Sequence, residues 1–336
     1  MRFWNRRIWS VRHSRGIALV AVLWVIALLS TIAVSFVGSI RTETALTRNL
    51  VDNARAQALA DAGVYRAVLA LYRNFEESDT QEPEEPDADS PLAALYEAAR
   101  TAGLKPLENA EELRADGRTY VWAFRDAVLR VALQNEAGKV DLNAARDELL
   151  LGLLRAYGVV EAETLRDRIL DFRDADKDPL PQGAEDPTYE AAGRPHGAKD
   201  APFSSVEELQ QVLGMNRALY DRLAPALTVF SEARGIDPLT APAAALKALP
   251  DIDDATVEAI MAERLSDDPD LSSLLATFEA YLAGPGALVY TIYSEATLPG
   301  GARFRREAVV ALVPGAERPF RIFGWKRGRI PSQAGS

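Results

Sequence analysis

IALVAVLWVIALLSTIAVSFVGSI, residues 17–40, runs for twenty-four residues without a charge. As an α-helix it would reach about 36 Å, enough to cross the hydrocarbon core of a bilayer. The sixteen residues before it carry Arg2, Arg6, Arg7, Arg12 and Arg15 and no acid. Basic residues on that flank keep the N-terminus cytoplasmic, and Trp24 is one of several bulky side chains suited to face lipid. An ordinary signal peptide or signal anchor is the plain alternative. Against standard cleavage, the apolar run is long and no small-x-small site follows it.

The helical pattern continues past the span. Residues 41–75 hold no proline, and Leu46, Leu50, Ala54, Ala58, Val64, Val68 and Leu71 recur at three- and four-residue spacing with slips. The pattern predicts one helix of fifty to sixty residues, half in lipid and half amphipathic. Such a rod suits the spine of a helical filament, where the same apolar surface packs first in lipid and later against neighbours.

Here the residues resemble a known family. Arg15-Gly16-Ile17-Ala18-Leu19-Val20 is similar to a type IV prepilin-class leader junction, a basic leader ending in Gly before an apolar helix. The resemblance implies that a prepilin peptidase cuts after Gly16 and that the new amino group of Ile17 is methylated. Most pilins and pseudopilins carry Glu at the fifth mature position; this chain has Ala21. In the family that carboxylate pairs with a neighbour's ammonium, and an unpaired charge in an apolar filament is costly. A subunit with nothing above it has no ammonium to meet. With the Ala60-Asp61-Ala62-Gly63-Val64 run, the pattern resembles the K-type minor pseudopilin of type II secretion.

Composition narrows the alternatives. A chain of 336 residues with a net charge of −11 lacks the basic surface that supplies most nucleic-acid affinity. Setting aside the five leader arginines leaves −16 on the rest, so start and body suit different compartments. There is no cysteine, which excludes disulfides, thiolate metal sites and Cys nucleophiles. The only histidines are His13, in the leader, and His196, in a Gly/Pro-rich loop. No Gly-x-Ser-x-Gly, phosphate-binding Gly-rich loop or His-Glu-x-x-His is present.

The body reads as a sheet interrupted by helices. Residues 76–91 (EESDTQEPEEPDADSP) form an acidic, proline-bearing loop, and a short helix is expected near residues 92–102. Tyr120, Trp122 and Phe124 alternate before a turn at Arg125-Asp126, with a second strand over residues 128–133. Strands return at residues 288–298, 303–313 and 319–325. Between them, residues 139–286 suggest three helix-turn-helix units. The first opens at Asp141-Leu142-Asn143-Ala144, the second at an overlapping capping box, Ser204-Ser205-Val206-Glu207-Glu208, and the third at Thr240-Ala241-Pro242. The fold class is therefore α+β: a long N-terminal helix, a pilin-like α/β domain and a large all-α insert. The expected division is leader 1–16, span 17–40, spine and first part of the pilin-like domain 41–138, insert 139–286, returning strands 287–326 and tail 327–336. K-type pseudopilins resemble this plan, and Gly138-Lys139-Val140-Asp141-Leu142-Asn143 is similar to their insert junction.

The densest candidate for site chemistry is DFRDADKDPLPQGAEDPTYE, residues 171–190. Asp174, Asp176 and Asp178 are spaced like positions 1, 3 and 5 of an EF-hand loop, with Glu185 at position 12, Asp171 a turn earlier and Asp186 next. Pro179 replaces the turn glycine, which argues against a true EF-hand. So many hard oxygens repel one another unless a cation neutralises them, and Ca²⁺ suits the set better than Mg²⁺. A merely solvated acidic loop is the alternative. The family resemblance implies structural calcium in this region.

Two other functions compete. Leu249-Pro250-Asp251-Ile252-Asp253-Asp254 has the shape of a helix-hairpin-helix nucleic-acid motif, but its three carboxylates would repel a phosphate. A periplasmic hydrolase using paired carboxylates lacks an aromatic sugar cleft. By resemblance, the chain is not an enzyme and binds no nucleic acid. It is a single-pass inner-membrane protein with its body in the periplasm, caps and initiates the pseudopilus with I-type and J-type minor pseudopilins, and meets other pseudopilins in the filament.

Overall fold

The computed structural model describes residues 15–76, 105–106, 113–266, 268–284, 288–314 and 316–328. The acidic loop beyond Glu76, the short helix expected near residues 92–102, most of the leader and the last eight residues lie outside these. The chain divides into two units, residues 1–55 and 56–336.

Helix α1, Arg15–Glu76, is the expected rod, with Gly16 and Ile17 in its first turn. In the first unit it holds an eighteen-residue stretch, Leu19–Phe36, of mean hydropathy 2.6 with no side chain buried. Its length and composition fit a single membrane crossing.

In the second unit the same helix lies on a sheet. Ala56, Ala60, Val64, Ala67, Val68 and Leu71 are buried at helical spacing. The expected stripe is corrected here: Ala54 and Ala58 are exposed, and Ala56 and Ala60 carry the contact. Small side chains let the backbone approach closely. Ala56 and Ala60 pack with Leu129, Ala296 and Leu298. A Cβ on Gly63 would stand 2.3 Å from Ser294 Oγ and 3.1 Å from Leu129 Cδ2, so glycine lets the helix cross close to the sheet without moving those side chains. Asp61 pairs with Arg306 at 2.6 Å, and the Arg66 guanidinium lies 4.4 Å from the Trp122 ring centre.

Six strands make the sheet among the described residues: β1 (Lys105–Pro106), β2 (Asp116–Phe124), β3 (Ala127–Asn135), β6 (Val289–Thr297), β7 (Arg303–Leu312) and β8 (Phe320–Arg327), in that order. All neighbours are antiparallel except β1 and β2. The central pairing joins strands far apart in sequence, with Asn135 opposite Tyr290 and Val128 opposite Thr297. Everything between them leaves the sheet and returns to the adjacent lane.

That excursion is mostly helical, with one short two-stranded sheet. It contains α2 (Asp147–Ala156), α3 (Ala162–Arg173), α4 (Asp186–Ala191), α5 (Arg217–Leu223), α6 (Ala243–Leu246), α7 (Asp254–Glu263) and α8 (Ser272–Leu275). Its core includes Leu149, Leu153, Ile169, Phe172, Leu223 and Ile260. Two of the expected helix starts differ. Asp141 does not open a helix: Val140–Asp141 (β4) pairs in parallel with Leu227–Thr228 (β5), and helix begins at Asp147. The 204–208 capping box gives a 3₁₀ turn, Val206–Gln211, with no side-chain cap from Ser205. Glu208 instead accepts the Ser204 N–H at 3.0 Å and the Lys199 ammonium at 2.6 Å, which fixes the chain one step off the capping register.

The neck between sheet and insert is tightly bonded. Glu136 Oε1 accepts from Lys139 Nζ at 2.7 Å and from Thr291 Oγ1 at 2.6 Å, all buried. Gln134 Nε2 donates to Thr240 O at 2.6 Å. A Cβ on Gly138 would stand 2.5 Å from Ala241 N, so backbone meets backbone there. Asp141 is 1% exposed, and both of its oxygens are satisfied. Oδ1 accepts from the N–H of Asn143 and Ala144; Oδ2 accepts from Ser231 N–H, Ser231 Oγ–H and Glu232 N–H, all within 3.1 Å. Asn143 bonds Phe203 both ways, Oδ1 accepting from its N–H and Nδ2 donating to its carbonyl. Beyond the neck, the Phe230 and Phe323 rings stack at 5.5 Å and Lys326 meets Glu207 at 2.9 Å, tying the insert to β8.

Candidate metal centre

The acidic loop leaves the C-terminal end of α3. Asp171, fully buried on that helix, folds the loop back on itself. Its carboxylate accepts from Leu180 N–H at 3.2 Å and from Ala184 N–H at 2.8 Å. One turn earlier, Asp167 Oδ2 accepts from Gln182 N–H at 3.2 Å. Gly183 passes so close that a Cβ would overlap Asp171 Oδ2. Burial raises the Asp171 pKa, the two backbone N–H groups oppose the rise, and Asp167 and Asp176 add to it.

Deeper in the loop the bonding fails. Glu185 is 4% exposed, yet both of its carboxylate oxygens lack a hydrogen-bond partner. Asp174 Oδ1 and Asp200 Oδ1 are buried and unpartnered in the same way. Burial, then Asp171, Asp200, Asp174 and Asp186 in turn, push the Glu185 carboxyl up to about 7. Asp174 is raised by burial first, then by Asp176, Asp171 and Asp200. Two cations answer part of this charge: Arg173 opposes the rise at Asp174, and Lys177 Nζ lies 3.3 Å from Asp186 Oδ2 and 3.4 Å from Asp200 Oδ2, its own pKa rising through those bonds.

Of the six residues expected at the site, Asp171, Asp174 and Glu185 converge, with Asp176 and Asp186 at the margin. Asp178 is exposed, its N–H donating to Asp176 Oδ1 at 3.0 Å, and nothing draws its carboxylate inward. Asp200 is the residue that sequence reasoning missed. It reaches the cluster from beyond α4 in a left-handed conformation, φ 53°, and only the return of the chain brings it there. Orphaned hard oxygens at Glu185, Asp174 and Asp200 are the donor set a divalent cation takes. They fit calcium in kind. Among the described residues no three acidic or histidine side chains already stand as a ligand cluster, so a cation would have to draw them together.

The 249–254 corner has no such vacancy. Asp253 caps α7 by accepting from Thr256 N–H at 2.6 Å, which places a carboxylate where a phosphate would have to sit.

Residues 129–232 match the family model "Type II secretion system (T2SS), protein K", from the middle of β3 into the insert. A "Putative type II secretion system protein K" of Escherichia coli K12 is 25% identical over 65% of this chain and 63% of its own length. "Type II secretion system protein K" of Pseudomonas aeruginosa is 26% identical over 96% of this chain and 97% of that protein. The Klebsiella pneumoniae protein of the same name is 26% identical over 66% and 64%. The aligned region thus spans less than two thirds of the Escherichia and Klebsiella relatives. A chain in the crystal structure of the GspK-GspI-GspJ complex from the enterotoxigenic Escherichia coli Type 2 Secretion System has 18% identity and a TM-score of 0.48, covering 86% of this chain and 99% of that one.

In the second unit, a helix lies on a largely antiparallel sheet that a helical insert divides between β3 and β6. The chain is similar to protein K of type II secretion, over residues 129–232 by the family model and along nearly its whole length by the Pseudomonas relative.

Proposed function

We propose that this chain stands at the tip of the type II secretion pseudopilus and starts filament assembly with I-type and J-type minor pseudopilins, supporting export of folded proteins across the outer membrane. The insert lodged between β3 and β6 carries this reading. A helical domain hung from the middle of the sheet adds bulk where a further subunit would stack. Ala21, in place of the Glu that would meet a neighbour's ammonium, points the same way. A prepilin peptidase cuts after Gly16 and leaves Ile17 to be methylated; the span then anchors the subunit in the inner membrane with its body in the periplasm until the rod joins the filament.

The acidic loop takes Ca²⁺ through Asp174, Glu185 and Asp200, with Asp171, Asp176 and Asp186 beside them, and Lys177 yields its place when the ion enters. Its role is structural, tying a long irregular loop to α3.

Co-expression of the full chain with a prepilin peptidase, followed by mass spectrometry, tests the assignment. The expected N-terminus is Ile17. An intact Met1 or a cut beyond residue 40 rules the reading out. Capture of I-type and J-type subunits by the processed chain tests the tip complex separately.

A further inference from the structure

The body is acidic, but residues 299–328 carry seven Lys or Arg against two Glu. Four arginines gather at one end of β3, β7 and β8. Arg130, Glu295 and Arg305 lie side by side across β3, β6 and β7. Glu295, 6% exposed, pairs with Arg305 and stands 3.9 Å from Arg130. This one carboxylate is already divided between two guanidinium groups. Next to it, Arg303, Arg305, Arg327 and Gly328 line a cavity of about 380 Å³. Arg303 and Arg327 are exposed, and among the described residues neither has a carboxylate within ion-pair distance. Arg327 is held with its guanidinium 5.4 Å from the Phe304 ring centre, and Gly328 N–H donates to Arg305 O at 3.3 Å, which sets the cavity rim.

The planar Arg327 fork, held against the Phe304 ring beside the Glu295-paired Arg305, is placed to receive a carboxylate two oxygens at a time, and exposed Arg303 adds a second cation at the same cavity. We infer that this arginine-lined cavity is a docking site for an acidic polypeptide segment of a neighbouring protein, which supplies carboxylates to Arg303 and Arg327. Charge complementarity carries the choice of occupant. The cavity is the basic end of an otherwise acidic head, so an acidic partner is attracted here and repelled elsewhere, which fixes where it lands. Solvated arginines scattered to keep the protein soluble would not converge on one cavity, nor need Glu295 buried between two of them. The site is separate from the acidic loop and needs no calcium.

Fluorescein-labelled hexaglutamate, added to the full chain in neutral detergent and followed by anisotropy, tests this. Wild type is expected to bind the peptide, more weakly as salt rises. Arg303→Gln with Arg327→Gln is expected to weaken binding by about tenfold or more. The Lys versions should recover only part of it, because they restore charge without the fork. Both positions are exposed, so an unchanged melting temperature confirms that the variants fold. Equal binding by wild type and the double Gln variant overturns the inference. So does arginine-dependent binding to phosphatidylglycerol vesicles without binding to the peptide, which makes the occupant a lipid surface. Inorganic phosphate that competes as well as the peptide would also overturn it, by reducing the site to a general anion trap.

Discussion

Asp141 and Glu185 are both buried carboxylates of one helical insert, and their surroundings are opposite. Asp141 receives five donors from two chain segments about ninety residues apart. Glu185 receives none, and Asp171, Asp200, Asp174 and Asp186 all act to raise its pKa. At the neck the protein supplies every bond the charge requires, and the result is a fixed joint. In the loop it supplies none to Glu185, and the charge stands buried without a donor. Burial alone therefore does not tell a carboxylate bonded within the fold from one left unpartnered; the donor inventory does.

Four changes sharpen that contrast. Asp141→Ala leaves buried N–H groups of the neck unpaired, and should cost roughly 3–5 kcal/mol by chemical denaturation. Preserved stability in that variant would break the idea of a self-sufficient neck. Calcium at a hundredfold excess over its dissociation constant should stabilise the wild type by about 2.7 kcal/mol, lost again with chelator. An unmoved melting temperature with calcium would remove the metal centre. Gly138→Ala drives a methyl into Ala241 and Thr240 backbone and should cost about 2 kcal/mol, read from the denaturant midpoint. The smallest effect should have the opposite sign. Glu185→Gln removes a buried unpaired charge, so in chelator it should gain roughly 1 kcal/mol while losing the response to calcium. A loss of stability in chelator would mean that Glu185 has a protein partner after all.

Much of the fold was legible in the chain. The rod declares itself by an uncharged span followed by a proline-free, helically spaced stretch, and the strands by alternation at Tyr120, Trp122 and Phe124. Helix phase was less readable. Alanine is ambiguous in a hydrophobic pattern, and the choice between Ala58 and Ala56 rests on which lets α1 approach Leu129 and Ser294. The start of α2 was misplaced because an Asp before a helical pattern looks like a cap, whereas Asp141 holds a local turn at Asn143–Ala144 through Oδ1 and residues 231–232 through Oδ2. At the site, local spacing found the loop but not its membership. Asp178 fits a sequence pattern and faces solvent, while Asp200 fits no pattern and faces the cluster.

Sequence by itself determined the properties that depend on neighbours along the chain: the membrane-length helix, the alternation of strands, the acidic loop, and the place where helices interrupt the sheet. These follow from periodicity and charge, which act over a few residues. Tertiary structure alone decided which distant groups share a dielectric environment and a set of hydrogen bonds. It paired Asp141 with Ser231, left Glu185 without a donor, carried Asp200 into the loop and gathered Arg303, Arg305 and Arg327 around one cavity. Electrostatic interactions depend on distance and burial in space, and neither quantity is written in the order of residues.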